Sequence, residues 1–345
     1  MPKKEFDIIS VGGAVRDFNF WSKSGKFLNT PENLTAQKLL AFEYGAKVNA
    51  EEIFCSIGGG ASNTSASFVK LGLKTAALVR LGNDSDGKII AENFKKHKVN
   101  DWLIQYDQKK ISGISFILTT DKKEKDHVVF AFRGANENLE FPVQKFKKIR
   151  TKWIYITSLA GENWKKTLGQ IFSWAQFNKV KVAWNPGIKQ LQAGKKVLEK
   201  FLKLTNVIIL NKDEAIELSL SGLKFGRKIP THLNKPLYLL NILKEWGPKI
   251  VLITDGKRGA FCYDGKNIQH VKPLRKKIVD TTGVGDAFGA AFVSALIYHP
   301  GYVKEALRWG IINSNSVITQ YGAQGGIVGK AEMLNRISKT KIIFT

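Results

Sequence analysis

Apolar and polar positions follow two alternating patterns along this chain of 345 residues. Short apolar runs that are typical of buried strands occur at residues 6–11, 76–79, 152–157, 180–184, 207–210 and 249–254. Longer segments with helical character follow several of these runs, around residues 63–71, 164–178, 195–204 and 287–298. From about residue 150 onward, strand and helix alternate regularly. This alternation predicts an α/β protein with a mostly parallel sheet and right-handed crossovers.

The first third of the chain is less regular. Two β-rich runs at residues 115–120 and 127–132 flank a charged turn at residues 121–126, which predicts a hairpin. Residues 18–52 have no clear period, so no elements are assigned to them. A short strand at residues 261–263, followed by the segment up to residue 279, predicts an antiparallel edge of the main sheet.

Composition supports a single large domain over residues 1–345, because 43% of the residues are hydrophobic and 11% are aromatic. No apolar run approaches the roughly 18 residues that a membrane helix needs. The first residues contain no apolar segment typical of a signal peptide. Cys55 and Cys262 form neither a disulfide framework nor a metal-binding cluster. We therefore expect a soluble, cytoplasmic protein without a membrane partner.

The formal net charge of +25 is unusual, and strongly basic proteins often bind nucleic acids. Here the lysines are scattered, and none lies in a nucleic-acid motif with interleaved stacking aromatics. We interpret the charge as a solvated, lysine-rich surface. Steering of anionic nucleotides is a second interpretation, and specific nucleic-acid binding is the third.

The segment at residues 279–292 carries the clearest chemistry in the chain. Gly283, Val284 and Gly285 form a turn before a small-residue helix, so their backbone N–H groups can converge on one anion. Asp286 lies in the first helical turn, where a carboxylate can act as general base beside developing phosphoryl charge. The alternative is an ordinary first-turn acid that only complements the helix dipole.

The longer string from Asp280 to Phe288, Asp-Thr-Thr-Gly-Val-Gly-Asp-Ala-Phe, resembles the C-terminal signature of the ribokinase-like (PfkB) carbohydrate kinases. The resemblance implies a three-layer α/β/α fold with a small β lid, here from about residues 13–55 and 110–135. It also implies ATP and Mg²⁺ as cofactors. Asp286 would be the catalytic base, and the amides of the glycine turn would form the anion hole.

The same resemblance implies a sugar-binding side. An Asp just after the first strand binds sugar hydroxyls in this family, and Asp17 has that place. Gly58, Gly59 and Asn63 match the family's Gly-Gly-x-x-x-Asn signature at the start of a helix. Asn136, in a Gly-Ala-Asn sequence, is the remaining candidate for substrate contact. Turn or capping roles are the alternative for each of these residues.

A nucleotide side is implied in the same way. Asn211 and Glu214 match an Asn-x-x-Glu element whose acid orders the water bound to magnesium, although a capping role fits Glu214 equally well. Thr254 and Gly256 are expected against the nucleotide, and Asn313 near its adenine.

Some family members also bind a monovalent cation, so potassium is a possible further cofactor. Asp280 and Thr282 would belong to that cation loop.

Together these features predict an ATP-dependent kinase that phosphorylates a hydroxyl of ribose, fructose or a keto-deoxy sugar acid. A nucleoside kinase of the same fold is the main alternative, since Phe18, Phe20 and Trp21 could form a slot for a base. A non-catalytic sugar sensor and a nucleic-acid-binding protein are the remote alternatives. Exposed lid strands could also pair between subunits and form a homodimer.

Overall fold

An eight-stranded, mostly parallel sheet forms the centre of the computed structural model, which describes residues 3–30, 38–120, 127–223, 231–274 and 276–344. Numbered along the chain, the strands are β1 Lys4–Val11, β2 Val15–Trp21, β3 Lys26–Asn29, β4 Lys38–Ala41, β5 Glu52–Gly58, β6 Thr75–Leu78, β7 Arg80–Gly82, β8 Gln105–Asp107, β9 Gly113–Thr119, β10 His127–Phe132, β11 Ile149–Ile156, β12 Lys181–Trp184, β13 Val207–Asn211, β14 Ile250–Thr254, β15 Ala260–Tyr263 and β16 Ile268–Val271. The helices are α1 Gly60–Lys70, α2 Ser85–Lys96, α3 Val143–Phe146, α4 Trp164–Phe177, α5 Ile188–Gln192, α6 Gly194–Leu202, α7 Lys212–Leu220, α8 Pro236–Glu245, α9 Val284–Tyr298, α10 Val303–Val317 and α11 Lys330–Lys339.

The central sheet has the strand order β16-β15-β14-β13-β12-β11-β1-β6. Neighbouring strands run parallel from β6 to β14, whereas β15 and β16 add an antiparallel edge. This arrangement confirms the predicted mostly parallel sheet and its antiparallel edge.

Both faces of this sheet are covered, which produces three layers. Side chains alternate along each strand, so Ile9 and Ile154 join the core on one face while Ile8 and Tyr155 join the core on the other. The first core contains apolar residues of α4, α6, α7 and α8. The second contains those of α1, α9, α10 and α11. The near-continuous apolar runs of the central strands follow from burial on both faces.

A separate four-stranded sheet, here called the lid, has the order β10-β9-β2-β5. Strand β9 pairs with β10 as the predicted hairpin, with His127 opposite Thr119, and the charged turn at residues 121–126 lies outside the described residues. Strand β2 runs into the range of residues 18–52 to which periodicity assigned no element, and β5 begins at its end. The lid strands fall within residues 15–58 and 113–132, close to the segments expected from the sequence.

The carboxyl ends of the parallel strands meet at one edge of the central sheet, next to the lid. Residues that follow β1, β11, β12, β13 and β14 therefore converge there, as is usual for ligand sites of open α/β sheets. Within the described ranges, no helix is long and apolar enough to cross a membrane.

Candidate active site

Two adjoining cavities, each of about 200 Å³, open at the carboxyl edge of the central sheet, and Asp286 and Asn185 line both of them. The first cavity, next to the lid, is lined by Gly13, Val15, Gly59, Gly60, Arg133, Asn136, Thr157, Ser158, Ala160, Asn185 and Asp286. The second cavity is lined by Asn185, Ile209, Leu210, Asn211, Glu214, Thr254, Gly283, Gly285 and Asp286. Asp286 therefore stands where ligands of the two cavities would meet.

Asp286 lies in the first turn of α9, as the sequence predicts. Burial raises the pKa of its carboxyl group to about 6, and the hydrogen bond from Asn63 opposes this shift. The Nδ2 atom of Asn63 donates to Oδ2 of Asp286 over 2.8 Å. A carboxyl group with this pKa is mostly ionised at neutral pH and is still basic enough to accept a proton from a hydroxyl.

The glycine turn opens α9 beside the second cavity. Gly283 caps the helix with a φ of 71°, and a Cβ atom there would lie 2.3 Å from Cβ of Ala323. Both the left-handed backbone and the close packing therefore require glycine. At Gly285, by contrast, a Cβ atom would meet nothing within 4 Å. The first N–H groups of a helix lack acceptors within it, so this turn can offer amide donors to an anion.

Asp17 lies on β2 and is only 3% exposed. Burial, together with the charges of Asp280 and Asp286, raises the pKa of its carboxyl group to about 7, although a hydrogen bond with Ser115 opposes this shift. The carboxylate packs against Gly58, where an added Cβ atom would lie 1.9 Å from Oδ2. It lies behind this glycine and is not among the groups that line the first cavity.

The second glycine of that run, Gly59, caps α1 with a φ of 90° and lines the first cavity. A Cβ atom there would lie 2.6 Å from the carbonyl oxygen of Gly13, so only glycine lets α1 start this close to the end of β1. Asn63, on the same helix, lies within hydrogen-bond distance of Asp286. The predicted glycine–asparagine signature thus reaches both the cavity wall and the carboxylate.

Asn136 lines the first cavity, but its side chain is bound mainly by backbone. Its Oδ1 accepts from the amide of Ala14, and its Nδ2 donates to the carbonyl oxygens of Ala14 and Arg133 at 3.0 Å. These bonds use most of the capacity of the amide. Asn136 therefore holds the segment after β1 against the segment after β10.

The second cavity contains the predicted Asn-x-x-Glu element. Oδ1 of Asn211 accepts from the amide of Glu214, and Oε2 of Glu214 accepts from the amide of Asn211, both at 2.8 Å, which forms a capping box. Burial raises the pKa of Glu214 to about 7. Thr254 also lines this cavity, whereas Gly256 lies outside its wall.

Asn313 is not brought to either cavity. It is fully buried in α10, where its Nδ2 donates to Oγ of Ser67 and to the carbonyl oxygen of Ala287, and its Oδ1 accepts from the amide of Val328. These hydrogen bonds occupy both ends of the amide, and the contact of this side chain with adenine stays a prediction. Asn313 thus connects α10 to α1 and α9, because it lies on the side of α10 that packs against these two helices.

The expected cation loop lies beside the glycine turn. The carboxylate of Asp280 accepts from the amides of Thr282 and Gly322, each at 2.8 Å. Oγ1 of Thr282 is buried and has no hydrogen-bond partner among the described residues. A buried hydroxyl without a partner is uncommon and leaves one oxygen available to a ligand.

Several residues of the site were missed from the sequence. Asn185, Thr157 and Ser158 directly follow central strands, so the rule that ligands bind at carboxyl ends could have identified them. Arg133 follows a lid strand and brings a positive charge to the first cavity. Gln324 has no local signal at all, although its Nε2 donates to Oδ1 of Asn63 at 3.3 Å.

Comparison with known proteins agrees with this architecture. The sequence model of the pfkB family of carbohydrate kinases matches residues 32–328. The ribokinase of Lactococcus lactis is 26% identical over 304 residues, which is 86% of this chain and 91% of the relative.

Two solved structures share the fold. The ribokinase of Arabidopsis thaliana, complexed with ribose and ATP, superposes with a TM-score of 0.75 at 18% identity over 98% of this chain and 99% of that protein. A nucleoside kinase of Methanocaldococcus jannaschii superposes with a TM-score of 0.72 at 20% identity over 99% of this chain and 100% of that one. The central sheet and its surrounding helices thus form a ribokinase-like fold.

Proposed function

We propose that this chain, which belongs to the pfkB family of carbohydrate kinases, transfers the γ-phosphoryl group of ATP to a small sugar bound in the first cavity. As a member of this family, it is a phosphotransferase that acts on a sugar hydroxyl. One observation carries this proposal. Asp286 lines both cavities, so an acceptor in the first and the phosphates of ATP in the second would meet at its carboxylate. The second cavity would hold the phosphate end of the nucleotide.

In the proposed reaction, the Asp286 carboxylate accepts the proton of the acceptor hydroxyl as its oxygen bonds to the γ-phosphorus. The bond to the bridging oxygen of ATP breaks, and ADP leaves with that electron pair. Asn63 donates to one oxygen of the carboxylate and so fixes the direction of its other lone pairs. Positioning and electrostatics account for most of the catalysis in phosphoryl transfer, which suits a site with one base and a fixed donor.

The amides of Gly283, Val284 and Gly285 are the proposed donors to the transferring phosphoryl group. They stand at the N-terminus of α9, where the helix dipole adds a partial positive charge. The missing side chain at Gly285 leaves the approach from the second cavity open. Closure of the lid would exclude water and so limit ATP hydrolysis.

Magnesium is the ion expected with ATP, and it would offset the phosphate charge. In the described part of the chain, no group of three or more His, Cys, Asp or Glu side chains could hold a metal ion by itself. That fits Mg²⁺, which usually binds through substrate phosphates, water and one or two carboxylates. Glu214 is the proposed carboxylate, because it lines the second cavity together with Asp286.

Potassium is a further proposed ion. The unpaired Oγ1 of Thr282 could serve as one of its ligands, while the carboxylate of Asp280 would hold the loop through the amides of Thr282 and Gly322. Turnover is expected to increase several-fold when K⁺ replaces Na⁺ at constant ionic strength. Equal rates in both salts would contradict this role.

The first cavity favours a sugar over a nucleoside. Its volume of about 200 Å³ suits one sugar ring, and none of the described residues that line it is aromatic. Phe18 and Phe20 instead contact the ring of Phe116, at centroid distances of 5.7 and 6.0 Å. On β2 they alternate with Asp17, so they face the opposite side of the lid. Trp21 does not line the cavity either.

Ribose, fructose and a keto-deoxy sugar acid remain the proposed sugars. The positive charge of Arg133 at the first cavity favours an acceptor with a carboxylate within this group. A nucleoside is the second candidate, since nucleoside kinases share this fold.

Release of ADP from Mg-ATP, measured with sugars, sugar acids and nucleosides, tests the proposal. Asp286→Asn should lower turnover by roughly 10²–10⁴-fold with the preferred acceptor. Asp101→Asn makes the same change on the surface, away from both cavities, and should leave turnover unchanged. Full activity of Asp286→Asn would refute the role of Asp286 as base. Turnover with nucleosides alone would mean that the acceptor is a nucleoside and not a sugar.

The lid is also the proposed dimer interface. On its edge strand β10, the side chains of Val128, Val129, Phe130 and Phe132 are 38 to 60% exposed. An exposed apolar edge strand is a common site for pairing with a second copy. Light scattering should give twice the chain mass for the native protein and the single mass for Phe130→Lys; a native monomer would contradict the proposal.

A further inference from the structure

A third cavity, of about 490 Å³, lies outside the candidate active site. It is bounded by the edge strand β5 of the lid, by α2 and by the loop that follows α10. Arg16 lines it, whereas Val15 and Asp17, on either side of Arg16 along β2, face the side of the first cavity. The third cavity lies at the β5 edge of the lid and shares no lining residue with the first.

The wall of the third cavity combines aromatic and basic groups. The rings of Phe54 and Tyr321 are 40% and 55% exposed, and their centroids are 5.9 Å apart at an angle of 43°. Lys96 forms no ion pair within the described ranges, even with Glu92 one helical turn before it. Arg16 is partly neutralised by Asp86, which lies 4.0 Å away. Exposed rings suit a flat heterocycle, and a free lysine suits a phosphate.

A chain of amide hydrogen bonds connects this cavity to the catalytic carboxylate. Nδ2 of Asn93, in the cavity wall, donates to Oε1 of Gln324 over 2.9 Å. Nε2 of Gln324 then donates to Oγ of Ser62 at 2.9 Å and to Oδ1 of Asn63 at 3.3 Å. Since Oδ1 of Asn63 is the acceptor for Gln324, its Nδ2 is turned towards Asp286, where it donates over 2.8 Å.

A second connection runs through the loop after α10. Gly322 lines the third cavity, and its amide donates to Oδ2 of Asp280, which lies three residues before the glycine turn. A ligand that shifts this loop would therefore act on both the orientation of Asn63 and the segment that precedes Gly283. Such contiguous, directional contacts are the physical basis of coupling between two sites.

We propose that the third cavity is an effector site for a nucleoside monophosphate, with the base against Phe54 and Tyr321 and the phosphate near Lys96, and that its occupancy alters catalysis through Asn93, Gln324 and Asn63. The volume of the cavity is within the range of small-molecule sites. The binding part is independent of the proposed kinase reaction, whereas the coupling part rests on it.

Binding can be measured without any activity, because Cys55 lines the third cavity and Cys262 is buried. A chromogenic thiol reagent should therefore report on Cys55 in the native protein. Millimolar AMP should slow its modification at least about five-fold, and adenosine or inorganic phosphate alone should do so far less. No slowing by AMP would overturn the site, and equal protection by phosphate alone would overturn the role of the two rings.

The role of Lys96 has a matched control on the same helix. Lys96→Gln should raise the AMP concentration needed for half-protection roughly ten-fold or more. Lys95→Gln removes the same charge from the next residue, which is exposed and does not line the cavity, and should leave that concentration unchanged. Equal effects of the two substitutions would overturn a specific phosphate contact.

The coupling is tested by turnover of the preferred sugar. Saturating AMP should change turnover about five-fold or more in the native protein. Asn93→Ala removes the first link, so Cys55 should still be protected while turnover no longer responds to AMP. The coupling through Asn93 would be overturned if AMP changed the turnover of Asn93→Ala as much as that of the native protein. It would also be overturned if AMP protected Cys55 but left native turnover unchanged. Failure of every sugar and every nucleoside as acceptor would refute the kinase proposal and leave the Cys55 result standing.

Discussion

Replacement of Gly285 by alanine separates what this glycine does for folding from what it does for function. Gly285 is the second residue of α9, and a Cβ atom there would meet no protein atom within 4 Å. The new methyl group would instead project into the second cavity, which Gly285 lines. The substitution thus adds atoms only where the phosphates of ATP are proposed to bind.

The two expected effects have opposite signs. Alanine in place of a helical glycine stabilises the fold by up to about 1 kcal/mol, because it restricts the unfolded chain. For a protein of this size, that corresponds to a melting temperature higher by about 1 °C. A methyl group that displaces the transferring phosphoryl group by about 1 Å should lower kcat/KM by roughly 10²-fold.

Thermal unfolding and the steady-state rate of ADP release would be measured on the same preparations. Gly169→Ala is the matched control, because Gly169 also lies in a helix, with no atom near its Cβ position, and is remote from the cavities. It should show the same small stabilisation and full activity. Gly289→Ala, in the same helix as Gly285, should lower the melting temperature, because its Cβ atom would lie 2.2 Å from the hydroxyl of Tyr155.

Two outcomes would refute the reasoning on Gly285. Unchanged kcat/KM in a normally folded Gly285→Ala protein would mean that no phosphate approaches this turn, so the proposed anion hole would be wrong. A melting temperature lower by several degrees would mean that the position does not face open space.

Three further predictions follow from the charges around the cavities. Asn63→Ala removes the hydrogen bond that lowers the pKa of Asp286, so the acid limb of the pH dependence of kcat/KM should move upward from about pH 6; an unmoved limb would contradict this contact. Asp17→Asn should stabilise the protein by about 2–4 kcal/mol at pH 8 in urea unfolding, because the pKa of Asp17 rises from 3.8 in the unfolded chain to about 7 in the folded protein. The gain in stability should shrink as the pH falls towards 4, and a gain independent of pH would exclude this titration. Arg133→Gln should raise KM for a sugar acid about ten-fold or more and leave KM for ribose unchanged, whereas equal effects on both would show that the charge does not select the acceptor.

Much of the central fold could be predicted from local patterns. The apolar runs at residues 207–210 and 249–254 became β13 and β14, because short strands buried on both faces leave an unmistakable apolar signal. The turn around Gly283 could be identified because glycines directly before a small-residue helix permit the left-handed backbone that opens such an anion site. By contrast, β2 and β5 were not assigned, since lid strands of mixed exposure lack a clear alternation of apolar and polar residues.

Local sequence is enough to identify the residues that could do the chemistry, namely a carboxylate behind a glycine turn at a helix start. The partners of those residues depend on the tertiary fold. Asn63 donates to Asp286 across 223 positions of sequence, Gln324 reaches Asn63 across 261, and Asn313 turns into the core instead of the cleft. The physical reason is that an amide side chain takes its direction from the donors and acceptors that packing brings to it, and local sequence does not encode those neighbours.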